Sequence, residues 1–187
     1  MVDEITNRFT GALFGKVRGM YIPRPDHLLL LVDWSQIELR IFADYAGERE
    51  LLETFELGLD VHRLAAQAAF GRMPDPKKHP QLYNWVRNMG KQIAFGLIYG
   101  MGPKLLAAEI GRSEEEAREF MDRYFERFKR AREFINRVHE VVRQRANDPL
   151  IRIQRDGEWM GYVADRWGRR RYFSERKLYK SINFLIQ

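Results

Sequence analysis

Apolar and polar positions follow two periods along this chain, and the change of period divides it. From Ser35 to about Ala146 the apolar positions keep helical spacing, whereas from Leu150 to Phe173 they alternate as in strands. Ahead of both lies HLLLLVD (27–33), a short apolar run after a proline turn, which reads as a buried strand ending at an aspartate. Ser35 then opens a helix through about Tyr45, its S-x-x-E pattern with Glu38 being a capping-box signature. Further helices are expected over about 48–57 and from Asp60 to near Gly71, with PDPKKHP (74–80) as a loop. A longer helix runs from about Gln81 to Tyr99 and stops at GMGP, because two glycines and a proline do not continue it. Pro103 to Ile110 makes a short helix bounded by proline and Gly111. A second capping box, Ser113 with Glu116, begins a helical region to about Ala146 that is broken once. Asp156-Gly157 marks the turn of a β-hairpin, and more strand follows to Phe173. A last helix starts near Glu175 and is still apolar-periodic at Gln187, which leaves Leu185 and Ile186 expecting neighbours the chain does not carry.

The order of elements predicts an α+β fold, mainly helical with an antiparallel sheet. At 187 residues the chain can bury one good core or two small ones, and 45% apolar with 31% charged residues excludes wholesale disorder. The apolar run Leu28–Val32 is far short of the ~20 residues a membrane helix needs. The opening MVDEITNRFT lacks the charged-then-apolar layout of a signal peptide. Without cysteine there is no disulfide framework and no thiolate metal site. A cytoplasmic protein with no membrane partner is expected (in the host cytoplasm if the gene is viral).

Charge changes the picture more. Between Arg166 and Lys180 stand seven basic residues against one acid, Glu175, a local excess equal to the whole chain's net charge of +6. Trp167, Tyr172 and Tyr179 lie among them. Such a cluster suits a polyanion; its plain alternative is a solvated surface.

Candidate chemistry concentrates in RNMGKQIAFGLIYG (87–100). Arg87, Lys91, Phe95 and Tyr99 recur every four residues, so each side chain advances roughly 40° around a helix axis and ~6 Å along it. On an ordinary helix the two cations would snorkel, stems on the core and heads in water. Here Gly90 and Gly96 also interrupt the helix, at about 1 kcal/mol each, and let another surface approach closely. Paired cations one turn apart match successive phosphates, and exposed rings offer stacking to a base, so a nucleoside triphosphate fits this row. Asp33, at the end of the apolar run, is a turn residue or cap on one reading. On the other it is half of a magnesium site, since that ion takes one or two carboxylates plus substrate phosphates.

DWSQIELR (33–40) resembles motif A of family A DNA polymerases, and RNMGKQIAFGLIYG is similar to their motif B, R-x-x-x-K-x-x-x-F-G-x-x-Y-G, at every fixed position. GYVADRWGRRRYF (161–173) resembles the family's arginine-rich palm segment, and the three come in the family's order. The resemblance implies a fingers subdomain over 48–146, with palm parts at 1–47 and 147–187. It implies that Asp33, helped by the Trp34 carbonyl, binds two catalytic magnesium ions. Arg87 and Lys91 would hold the incoming deoxynucleoside triphosphate, Lys91 also protonating the pyrophosphate leaving group. Phe95 would pack on sugar and base, and Tyr99 would occupy the templating site until a base displaces it. Gln36, Glu38 and His62 would complete the nucleotide pocket, Glu38 blocking a ribose 2′-hydroxyl while the capping-box reading competes for the same side chain, and a lone helical His such as His62 is as often structural. Arg169, Arg170, Arg171, Asn183 and Gln187 would contact primer-template DNA.

The chain departs from the family pattern at Trp34, where Tyr is usual, at Ala94, where Asn is common, and at Arg63, and the stretch from Thr10-Gly11 to Asp33 is short. Motif C, which supplies the second metal-binding carboxylate, is expected downstream of Gln187. Residues 1–187 alone are therefore expected to be inactive and to need the remainder of the polymerase chain. Two other classes remain open: a non-catalytic nucleic-acid-binding module, and a single-subunit RNA polymerase relative, against which Glu38 argues.

Overall fold

The computed structural model describes residues 20–187, and the polar start of the chain, with Thr10-Gly11, lies outside them. Two compact units are present, residues 1–35 and 36–187.

In the first unit a turn at Pro25-Asp26 is closed by the His27 amide donating to the Arg24 carbonyl at 3.0 Å. The expected strand over 27–33 does not form: the segment has no regular secondary structure, and Leu28 is 91% exposed. An apolar run becomes a strand only when neighbouring strands satisfy its N–H and C=O groups. The three described strands form their own sheet, in the order β1-β2-β3.

The second unit holds eight α-helices and those three strands among the described residues. Helices α1 (Ile37–Ala46), α2 (Arg49–Glu56), α3 (Val61–Phe70), α4 (Pro80–Ile98) and α5 (Pro103–Ile110) are followed by α6 (Glu114–Arg127) and α7 (Lys129–Asn147). Strands β1 (Ile153–Arg155), β2 (Glu158–Ala164) and β3 (Arg170–Phe173) lead through a 3-10 turn (Glu175–Lys177) into α8 (Tyr179–Ile186).

Local chemistry explains most boundaries. Proline opens α4 and α5 at the position where its missing N–H costs nothing. Ser113 and Glu116 form the expected capping box, with reciprocal bonds of 3.1 and 3.0 Å. The break between α6 and α7 falls at Phe128, and Glu48 reaches across to accept from the Arg130 and Ala131 amides that open α7. Asp156 and Gly157 both take positive φ, 53° and 76°, as a two-residue hairpin turn requires. That turn sets the antiparallel register Ile153↔Met160, and Tyr162↔Tyr172 continues the sheet into β3.

The other expected capping box is absent. The N-cap of α1 is Gln36, in the left-handed region at φ 55°, with no side-chain cap hydrogen bond. Glu38 points elsewhere, as the site shows.

One core joins the helices to the sheet, running from Leu39 and Phe42 through Ile93 and Leu97 to Val163, Phe173 and Ile182. Each such side chain stabilises the fold by about 1.5–3 kcal/mol relative to exposure. Leu185 and Ile186, expected to lack neighbours, are buried in it. The inner face of α8 packs on α1, α7 and the sheet, so tertiary contacts satisfy those positions within the described residues.

Candidate nucleotide and nucleic-acid site

Helix α4 carries the row the sequence singles out, and α3 holds that row in place. The two helices approach so closely that a Cβ on Gly90 would lie 2.5 Å from the Ala66 backbone nitrogen. A Cβ on Gly96 would meet the Met101 sulfur at 2.9 Å. The glycines do let another surface approach closely, as expected, and that surface is the protein's own.

Asp60 is the anchor. Its carboxylate caps α3 by accepting from the His62 and Arg63 amides at 3.0 and 3.2 Å. The same group takes two hydrogen bonds from the Arg87 guanidinium, through Nε and, at 3.1 Å, through Nη2. Burial raises the Asp60 pKa, but the Arg87 hydrogen bond and the backbone amides outweigh it and hold the carboxyl below its ordinary range. Arg87 is correspondingly raised by that hydrogen bond.

His62 is 4% exposed, and neither ring nitrogen has a partner. Burial, then the charge of Arg87, lowers its pKa; Asp60 opposes and Lys91 adds to the lowering. The ring lies 5.9 Å from Phe95, and Lys91 Nζ lies 6.0 Å from the Phe95 centroid. Phe95 and Tyr99 stack at 6.2 Å with planes 20° apart. At the end of the row the Tyr99 hydroxyl donates to Glu38 on α1. One chain of neighbouring side chains thus joins Arg87, Lys91, Phe95, Tyr99 and Glu38, with His62 buried behind Phe95. It offers two cations, a neutral imidazole, two parallel rings and a carboxylate.

Gln36 sits half-buried at the start of α1. Asp33 and Trp34 belong to the first unit, and both are exposed, Trp34 at 76%. Among the described residues no three His, Asp or Glu side chains converge as ligands, so these residues alone do not complete the implied metal pair.

The arginine-rich segment is organised by Asp165, which sequence reasoning passed over. Its carboxylate accepts from the Trp167 and Arg169 amides at 3.0 and 2.9 Å and from Arg169 Nε at 2.8 Å. Desolvation pushes the Asp165 pKa up, yet those hydrogen bonds hold it below the ordinary carboxylate value. Arg169 also lies over the Phe184 ring at 4.9 Å, and Arg170 over Tyr162 at 4.8 Å. Arg171 is exposed on β3. Asn183 is half-buried on α8 with its Oδ1 unpartnered, and Gln187 is exposed at the end of that helix. Asp60 and Asp165 were both readable as cap or turn residues, but their arginine partners were not.

Family models place this arrangement. Residues 8–187 match the model of DNA polymerase family A. A thermostable DNA polymerase I of Thermus filiformis is 34% identical over 160 residues, covering 84% of this chain and 16% of that protein. DNA polymerase I of Synechocystis is 37% identical over 159 residues, 85% of this chain and 14% of that protein. Among solved structures, the POL domain of Pol1 from M. smegmatis, in complex with DNA primer-template and dNTP, matches with a TM-score of 0.64 and 30% identity. That match covers 82% of this chain and 25% of the other. The chain belongs to the family A DNA polymerases, and it spans about one-sixth of the length of these curated relatives.

Proposed function

We propose that this chain forms the nucleotide-gripping surface, and part of the DNA-gripping surface, of a DNA-templated DNA polymerase. The observation that carries the reading is the row of Arg87, Lys91, Phe95 and Tyr99, with Glu38 bonded to Tyr99 and His62 buried behind Phe95. On this reading 48–146 is the fingers subdomain, and 1–47 and 147–187 are parts of the palm. It acts in the cytoplasm.

Arg87 and Lys91 bind the triphosphate, and Phe95 and Tyr99 bound the sugar and base. The primer 3′-hydroxyl oxygen, its proton passing to solvent, bonds to the α-phosphorus as the bond to pyrophosphate breaks, and Lys91 gives the departing pyrophosphate a proton. When bound, magnesium neutralises phosphate charge. Asp33 with the Trp34 carbonyl is this chain's contribution to holding it, and the remainder of the polymerase chain supplies the opposing carboxylate. Arg170 and Arg171, with Arg169, Asn183 and Gln187, face primer-template DNA. The second reading is a nucleic-acid-binding module without chemistry.

Nucleotide titration of the complete polymerase tests the proposal. Lys91→Ala is expected to weaken nucleotide use roughly tenfold or more, since a charge-assisted hydrogen bond contributes about 1.5–3 kcal/mol. Lys104→Ala, on α5 outside the row, is expected to leave it unchanged. Equal effects of the two would return α4 to a snorkelling surface. Primer extension that survives Asp33→Asn would favour the non-catalytic reading of this chain.

A further inference from the structure

Two rows of side chains at four-residue spacing meet end to end. The row on α4, Arg87, Lys91, Phe95 and Tyr99, finishes where that helix finishes. Another row opens α8, where Tyr179, Asn183 and Gln187 follow one flank, each advancing roughly 40°. Between the rows stands Gly100.

The turn that ends α4 is fixed by its own hydrogen bonds. The Gly100 amide donates to the Leu97 carbonyl at 3.1 Å, and the Met101 amide donates to the Gly96 carbonyl at 2.7 Å. With Gly100 at φ 73° this is a Schellman turn, a conformation that favours glycine. Gly100 has a second reason to be glycine. A Cβ there would overlap the Tyr179 Cβ, and it would stand 3.1 Å from the Tyr179 Cα and 3.3 Å from its Cγ. At the six other described glycines of positive φ, a Cβ would meet at most one flexible Arg130 nitrogen, 3.8 Å away at Gly47. Gly111 ends α5 in the same left-handed conformation and faces open space. Seating against another helix is therefore not something a helix-ending glycine brings by default.

Both sides of this contact are anchored. Helix α8 is held by Ser181, Ile182 and Phe184, buried where it packs on α1, α7 and the sheet. The end of α4 is tied to α1 by the Tyr99–Glu38 hydrogen bond, which can open and re-form. A backbone resting on the stem of a side chain, by contrast, cannot be compressed. Any shift of the α4 end must push Tyr179 or part from it.

We propose that Tyr179 is a positioning residue that seats the end of α4 on α8, so that a nucleotide on one row and primer-template on the other favour each other's binding. The proposal rests on the polymerase reading and deepens it. Whichever ligand fixes the joint first spares the second the cost of ordering it, and the effect is reciprocal. No motif marks Tyr179, because the contact is made by two segments distant in sequence.

The experiment uses the complete polymerase and a primer-template blocked at its 3′ end, so that nucleotide binds without reacting. Fluorescence anisotropy gives DNA affinity with and without the deoxynucleoside triphosphate that pairs with the next template base. The converse titration gives nucleotide affinity with and without DNA. In the wild type the two ratios should agree, at about tenfold or more. Tyr179→Gly removes the seat and should bring both ratios to within about twofold of unity. Tyr179→Ala keeps Cβ without the ring and should fall between, while Tyr179→Phe should match the wild type. A tyrosine that serves only the fold would lower the melting temperature of the Gly and Ala variants and leave the ratios unchanged, which overturns the proposal. DNA affinity lost with the ratios intact also overturns it, by making Tyr179 an ordinary DNA contact. Wild-type protein that binds both ligands without mutual effect overturns it and leaves the polymerase reading standing; wild-type protein that binds neither sinks both.

Discussion

Arg87 and Asp60 stand 27 residues apart in sequence, yet the guanidinium gives the carboxylate two hydrogen bonds while that carboxylate caps α3. The pair is about one-third exposed on each side, so its contribution to folding is small, ~1 kcal/mol or less. Its larger consequence is orientation, since it fixes the arginine head beside His62.

Asp60→Asn separates the two roles. Asparagine caps a helix as well as aspartate does, so α3 should survive with little loss of thermal stability. The Arg87 head loses its charged anchor. Nucleotide KM of the complete polymerase should change more than the melting temperature does. Asp60→Ala should lower both, with about 1 kcal/mol lost from the missing cap. A melting temperature that falls equally in the two variants would assign Asp60 to the fold alone.

Glu38 and Tyr99 form a second long-range pair, and it bears on sugar selection. Glu38→Ala removes the carboxylate beside the proposed sugar position, so ribonucleotide incorporation should rise relative to deoxynucleotide. Tyr99→Phe removes only the donor that orients Glu38, and should raise it by less. Competitive incorporation assays give both ratios directly. Because Glu38 does not cap α1, neither change should cost the ~1 kcal/mol of a damaged cap.

His62 makes stability sensitive to acid. Burial and the Arg87 charge depress its pKa in the folded chain. The unfolded chain therefore binds the proton more readily, and stability is full above the unfolded value of about 6.5 and falls as pH drops toward the folded pKa. Urea melts between pH 7.5 and 5 should show that loss, and His62→Phe should flatten it. An identical pH slope in the variant would place the sensitive group elsewhere.

Gly90→Ala tests packing. Alanine favours the helix by about 1 kcal/mol, but its Cβ would enter the Ala66 backbone at 2.5 Å. Overpacking of this kind costs about 1–3 kcal/mol. A lower melting temperature is expected despite the better helix former.

Features decided by near neighbours were legible in the sequence. Ser113 with Glu116, Asp156-Gly157 and the proline starts of α4 and α5 each act within four residues, and all formed as expected. Ser35 with Glu38 has the same pattern as Ser113 with Glu116, yet there Gln36 is the N-cap and Glu38 accepts from Tyr99, 61 residues away. No local signal separates the two cases. The apolar run at 27–33 carried strand composition without a ladder to join. The row on α4 was visible because it lies on one helix, while the Asp60 anchor and the seat of Gly100 on Tyr179 depend on where chain segments meet.

The near-contact of Gly90 with Ala66 has a mechanical meaning. Two helices whose backbones touch can neither slide nor roll past each other without collision, so α3 and α4 travel as one stiff plate. Any stroke that carries Arg87 and Lys91 toward a ligand must carry His62 and Asp60 with them, in fixed array. The pivot of such a stroke would therefore lie outside the pair, and the proposed grip would arrive assembled rather than being put together on contact.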